Sequence, residues 1–161
     1  MATKLFASLR DDVALFNSEL PESRRKLSLV RGLITLPGAR AAALMRLAAT
    51  GGLMGAVARA RLLSAFGCDV GVGAVFEGAV MLPHPTGVVI GRGARIGARV
   101  WIYQGVTIGS NTRGEYPVIE DDVRLYPQSI VTGRVRVGRG ARVGAGARVF
   151  GDIPAGAIVR S

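Results

Sequence analysis

The chain has 161 residues, 49% of them hydrophobic, and its 21 Lys and Arg face only 11 Asp and Glu, for a formal net charge of +10. That length makes one domain the natural expectation, and the single cysteine, Cys68, excludes an intramolecular disulfide. The single histidine, His84, excludes a three-histidine zinc site within one chain, and no cysteine cluster replaces it, so no metal is expected.

Residues 1–66 read as a helical cap. Leu5, Phe6, Leu9, Val13 and Phe16 recur at helical spacing, and Pro21 ends that segment. Residues 23–35 are basic and mixed. Pro37-Gly38 then punctuates, and 39–49 and 53–66 read as two helices divided by Gly51-Gly52. Neither predicts a membrane span, because Arg40, Arg46, Arg59 and Arg61 interrupt the apolar runs. Two roles stay open for this region: covering the exposed end of the C-terminal repeats, or resting basic amphipathic helices on an anionic membrane. With no signal peptide at its start, the chain reads as cytoplasmic, with the inner face of the membrane as the second location.

Residues 67–161 carry a different grammar. Ile90, Ile96, Ile102 and Ile108 recur every six residues, and the pattern resumes at Ile119, Leu125, Val131, Val137, Val143 and Val149. Small or branched residues sit two positions earlier, among them Val88, Ala94, Val100, Val106, Val123, Ser129, Val135, Ala141 and Ala147. Period six fits neither an amphipathic helix nor a two-faced strand. It predicts a parallel β-helix, each coil of about eighteen residues containing three short strands. The fold class is therefore an all-β solenoid preceded by helices. Two interruptions break the period, at 83–87 and in an extruded loop at about 110–117, and function often collects in such loops. Arginines on outward positions (Arg92, Arg95, Arg99, Arg124, Arg134, Arg136, Arg139, Arg142 and Arg148) form a solvated face or attract an anionic partner. No helix-turn-helix or aromatic-interleaved basic motif accompanies them, so nucleic acid is not expected.

His84 lies in the first interruption, between Pro83 and Pro85. Histidine is the usual general base near neutral pH, and no nucleophile elbow accompanies it to suggest a serine hydrolase. The residues Cys68-Asp69-Val70, Met81-Leu82-Pro83-His84-Pro85-Thr86-Gly87-Val88-Val89-Ile90-Gly91, Gln104-Gly105-Val106-Thr107-Ile108-Gly109 and Val143-Gly144-Ala145-Gly146-Ala147 resemble the serine O-acetyltransferases of the hexapeptide acyltransferase superfamily. The resemblance implies a left-handed coil, a homotrimer, and direct acetyl transfer from acetyl-CoA without a metal. It implies His84 as the base that takes the acceptor hydroxyl proton, with Asp69 orienting the imidazole. It also implies pantetheine beside Gly144, Ala145, Gly146 and Ala147, with Arg142, Arg148 and Arg160 near the CoA phosphates.

Two departures from that family stand out. Pro83 occupies the place of an Asp before the histidine, and Glu115-Tyr116-Pro117 stands where the family has Arg-His-Pro. A glutamate would repel a serine carboxylate that an arginine would clamp. The residues Leu82-Pro83-His84-Pro85-Thr86-Gly87, Tyr103-Gln104-Gly105-Val106-Thr107-Ile108-Gly109 and Gly114-Glu115-Tyr116-Pro117 instead resemble the serine-acetyltransferase-like enzymes of polysaccharide biosynthesis, which implies a sugar hydroxyl as acceptor, on a lipid-linked or polymeric precursor. Tyr116, Glu115, Asn111, Tyr103, Gln104 and Trp101 are the candidates to recognise it. Serine O-acetylation, in cysteine biosynthesis, is the alternative enzyme, and a non-catalytic β-helix scaffold is the alternative from another class.

Overall fold

The computed structural model describes residues 2–22 and 28–161. The basic stretch 23–27 and the side chain of Phe6 lie outside that description. Among the described residues, four helices come first: α1 (Ala2–Glu19), α2 (Leu29–Thr35), α3 (Pro37–Thr50) and α4 (Gly52–Phe66). Periodicity in the sequence predicts no separate element at α2. Its start is fixed by Ser28, whose hydroxyl accepts from the Arg31 N–H and so serves one of the free donors of the first turn. Pro37 opens α3, where a missing N–H costs nothing, and Gly67, with φ of 61°, closes α4 in the left-handed region.

A left-handed parallel β-helix of five coils comes after the helices. The first coil is β1 (Asp69–Val70), β2 (Val75–Phe76) and β3 (Val80–Met81); the second is β4 (Val89–Ile90), β5 (Arg95–Ile96) and β6 (Val100–Ile102). The third is β7 (Thr107–Gly109), β8 (Val118–Ile119) and β9 (Arg124–Leu125). The fourth is β10 (Ile130–Thr132), β11 (Arg136–Val137) and β12 (Arg142–Val143). The fifth is β13 (Arg148–Val149), a bridge from Ile153 to Val137, and β14 (Ile158–Val159).

These strands stack into three parallel faces, β1-β4-β7-β10-β13, β2-β5-β8-β11 and β3-β6-β9-β12-β14. The register places like on like: Val70 over Ile90, Ile90 over Ile108, Ile108 beside Val131, and Val131 beside Val149. The period-six residues from Ile90 to Val149 are all buried in one continuous core, as are their companions two positions earlier. Each strand's amides bond the coils above and below, so stacking satisfies the backbone while the interior excludes water.

The helices cover the first coil. Ala41, Ala42, Met45 and Ala48 of α3 and Ala58 and Leu62 of α4 join the core cluster of the coil itself. Val13, Phe16 and Ala39 form a second cluster with Met81, and Trp101 packs against it, which docks α1 on the third face. A buried ion pair locks this junction. Arg46 Nε and Nη2 donate to Asp12 Oδ2 and Oδ1 at 2.7 and 2.8 Å. Asp12 Oδ1 also accepts from the Val80 N–H at 2.9 Å, and Arg46 Nη2 donates to the Gly78 carbonyl at 2.7 Å. The pair thus serves backbone groups at the start of β3 that no earlier coil can serve.

Candidate active site

Counting hexads in threes assigns each break in the repeat to an edge of the prism. The 83–87 turn joins β3 to β4, at the edge between the third and first faces. The 110–117 loop joins β7 to β8, at the edge between the first and second faces and a little more than one coil further on. One chain therefore holds the two breaks on different edges.

The histidine edge is tightly wired. The Thr86 N–H donates back to the His84 carbonyl at 2.8 Å, and the Gly87 N–H donates to the Phe66 carbonyl at the end of α4. Gly105 N–H donates to the Thr86 carbonyl, and Val88 N–H to the Cys68 Sγ at 3.3 Å. Burial pushes the Cys68 thiol up, against the pull of those amides, so it stays a neutral acceptor. Corner residues on successive coils of this edge (Gly87, Gly105, Gln128 and Gly146) all have φ between 60° and 70°. A Cβ at Gly105 would press on Gln128 of the next coil at 3.1 Å, and at Gly87 the positive φ itself favours glycine.

On this rigid corner His84 is exposed, and its imidazole has no hydrogen-bond partner among the described residues. One coil below, Gln104 Oε1 is buried without a partner among those residues. Three coils below His84, Gly144, Ala145 and Gly146 form the corner of the same edge, about 14 Å away at the usual strand spacing. Arg142 and Arg148 flank that corner from the third and first faces, and Arg160 is exposed just beyond β14. Ala147 differs from its neighbours, because its side chain is buried in the core and cannot line the edge.

Asp69 has a partner other than the expected one. Arg59 of α4 donates to both carboxylate oxygens, Nε to Oδ1 at 2.6 Å and Nη2 to Oδ2 at 2.8 Å. That guanidinium holds the Asp69 carboxyl below the usual carboxylate range despite some desolvation. Within one chain, then, Asp69 does not reach the imidazole. Sequence reasoning missed Arg59, which lies ten residues away on a helix whose packing the sequence does not specify.

The residues nominated for a sugar are largely occupied by structural work. Asn111 Nδ2 donates to Glu115 Oε2 at 2.8 Å, while Asn111 Oδ1 accepts from the Arg113 and Glu115 N–H groups. The Glu115 carboxylate thereby closes its own loop. The Tyr116 ring lies across Gly91 and Gly93, where any Cβ would collide with it, and so pins that loop to the second coil. Trp101 sits beneath the Arg124 guanidinium, 4.6 Å from the ring centroid, and Tyr103 stacks on Tyr126 with centroids 5.3 Å apart. Tyr126 occupies the same hexad position as Tyr103, each following the inward aliphatic residue, so the register could have revealed it.

Most outward arginines that flank acids are paired: Arg95 with Glu77, Arg99 with Asp122, Arg136 with Glu120, and Arg139 with Asp121. Arg99 likewise holds the Asp122 carboxyl below its ordinary range. Among the described residues no group of three or more His, Cys, Asp and Glu could hold a metal ion.

Residues 116–151 match the family model described as bacterial transferase hexapeptide (six repeats). Over those residues the coil carries the hexapeptide repeat that the model describes. It is 37% identical over 105 residues to a plasmid serine acetyltransferase of Synechococcus elongatus, covering 58% of this chain and 33% of that protein. It is 34% identical over 110 residues to serine acetyltransferase 4 of Arabidopsis thaliana, covering 66% of this chain and 31% of that one. The chain thus spans about a third of the length of these relatives. Among solved structures, the serine acetyltransferase of Neisseria gonorrhoeae in complex with serine superposes with a TM-score of 0.83 at 27% identity, over 97% of this chain and 66% of that one.

These relatives overturn the sugar acceptor and, with it, a place in polysaccharide biosynthesis: they are serine acetyltransferases. Glu115 misled for a physical reason. Its carboxylate turns back to Asn111 inside its own loop, so what the charge meets depends on a position that the sequence does not give.

Proposed function

We propose that the chain is an acetyl-CoA-dependent O-acetyltransferase whose acceptor is the hydroxyl of serine, the reaction by which the relatives are named. The observation that carries the reading is His84: the only imidazole of the sequence stands exposed and unpartnered on a rigid corner of the coil. The same edge runs from it past Gln104 to the Gly144–Gly146 corner, a span suited to an extended pantetheine arm.

In this reading the thioester lies beside His84, and Gln104 Oε1 accepts from an amide N–H of the arm, which would relieve its buried and unpaired state. The His84 imidazole takes the proton of the serine hydroxyl as that oxygen attacks the thioester carbonyl. The tetrahedral intermediate collapses to O-acetylserine, and CoA leaves as the thiol once the proton reaches its sulfur. Arg142, Arg148 and Arg160 are the cations nearest the far end of that path, where CoA carries its phosphates.

The two breaks in the repeat favour a homotrimer. His84 and the 110–117 loop cannot meet across a prism edge of one chain, but side-by-side prisms would bring one chain's histidine edge against a neighbour's loop edge. The experiment is release of free thiol from acetyl-CoA on addition of L-serine. Release that falls about 10²-fold or more in His84→Ala supports the reading. CoA binding without release on serine would overturn the acceptor, and equal release by His84→Ala would overturn the base.

A further inference from the structure

Between Glu22 and Asp69 the sequence contains no acidic residue, while Arg24, Arg25, Lys26, Arg31, Arg40, Arg46, Arg59 and Arg61 all fall there. Positive charge in the helical cap is therefore concentrated in one stretch that has no carboxylate of its own. One of these groups, Arg46, is neutralised by Asp12, and Arg59 is paired with Asp69.

The outward side of α4 is apolar as well. Gly55, Ala58 and Leu62 face the core, so the opposite side of the helix turns away from the coil. There Leu53 is 82% exposed, Met54 69% and Val57 52%. Leu63 continues the surface along α4, and exposed Val72 of the first coil adjoins it at Gly51. A groove of about 340 Å³ with almost no polar lining runs between them, past Gly51, Gly52 and Gly55. Arg61 lies on one flank of this stripe and Arg59 on the other. The helix is far too short and interrupted to cross a bilayer, and among the described residues no helix qualifies as a span.

We propose that this face of α4 docks on an anionic lipid surface, inserting Leu53, Met54 and Val57 at the headgroup level while arginines of the cap meet the lipid phosphates. Apolar protrusions beside Arg61, which has no ion pair among the described residues, in a cap whose sequence from 23 to 68 contains no carboxylate, complement such a surface in both its parts. A second copy is the poorer occupant, because two caps meeting head to head would oppose like charges across a low-dielectric contact. Such docking is independent of the acceptor and of the reaction.

The test is co-sedimentation of the full chain with vesicles of phosphatidylcholine alone and of phosphatidylcholine with phosphatidylserine, at low and high salt. The expected result is binding to the anionic vesicles only, weakened by salt. Arg61→Glu should weaken it by about fivefold or more, since each basic group near such a surface contributes about fivefold in partition. Leu53→Asp with Val57→Asp should abolish it, and both positions are exposed enough for the fold to survive, which circular dichroism verifies. Arg134→Glu, an exposed change of equal charge on the fourth coil, should leave binding near the wild-type level. Three results would overturn the proposal. One is no binding to anionic vesicles at low salt, and another is an equal loss from Arg134→Glu. The third is an assembly whose mass halves in the Leu53→Asp, Val57→Asp variant, which would make a second copy the occupant.

Discussion

The coil and its cap solve the same problem by opposite means. Within the coil each strand finds its backbone partners one turn away, and the interior is aliphatic from Val70 to Val149, with Ser129 as its one fully buried polar side chain among the described residues. At the first coil the repeat has no preceding turn, and the cap must supply what the missing turn would have given. It does so with apolar side chains from α3 and α4 and with the buried Asp12–Arg46 pair, which bonds the Val80 N–H and the Gly78 carbonyl. Repetition makes stability local and redundant, whereas termination concentrates it in a few specific groups.

The sharpest way to break that contrast is Asp12→Ala. It leaves Arg46 buried and unpaired and orphans the Val80 N–H, so a loss of about 3–5 kcal/mol is expected. Urea denaturation measures it, and the double variant Asp12→Leu, Arg46→Met should lose less than the single one, because no buried charge is stranded. A comparable loss in both would place the cost in packing instead.

Leu125→Ala probes the coil. Leu125 is wholly buried between Ile102 and Val143, so the cavity should cost about 2–5 kcal/mol. Hydrogen exchange in this variant should quicken most in the third coil and its two neighbours, while amides of α3 keep their protection. Loss of protection spread evenly over cap and coil would show that the two are one cooperative unit.

The smallest effect belongs to the exposed tie between them, Arg59–Asp69. Both side chains are more than 30% exposed, so Asp69→Asn should cost less than about 1 kcal/mol. Its sign with pH follows from the lowered carboxyl. The pair contributes fully above the unfolded carboxylate value near about pH 4 and fades as acid protonates Asp69 in the fold. Wild type and Asp69→Asn should therefore converge in stability toward low pH, and denaturation midpoints compared at neutral and acid pH measure this. Divergence in acid would contradict the assigned partner.

The coil was legible because its physics is periodic: Ile90, Ile96, Ile102 and the rest must point inward every sixth residue for the faces to close, and all of them do. The edge that each interruption occupies was legible too, by counting hexads in threes. The cap was only partly so. Helical spacing marks α1, α3 and α4, but α2 is too short for periodicity and declares itself through Ser28 alone. Long-range pairings escaped altogether. Nothing in the sequence links Asp12 with Arg46 or takes Asp69 to Arg59, because tertiary ion pairs follow from how helices dock. Glu115 shows the cost of reading a charge without its position: its carboxylate turns back to Asn111 within the loop, which the sequence alone does not reveal.

The central claim is that an unpartnered His84 performs proton transfer at an edge of the coil that also holds CoA. CoA binding and serine-dependent thiol release, measured side by side in wild type and His84→Ala, test it most directly. The account predicts unchanged CoA affinity with turnover reduced about 10²-fold or more. Turnover that survives without the imidazole would contradict it.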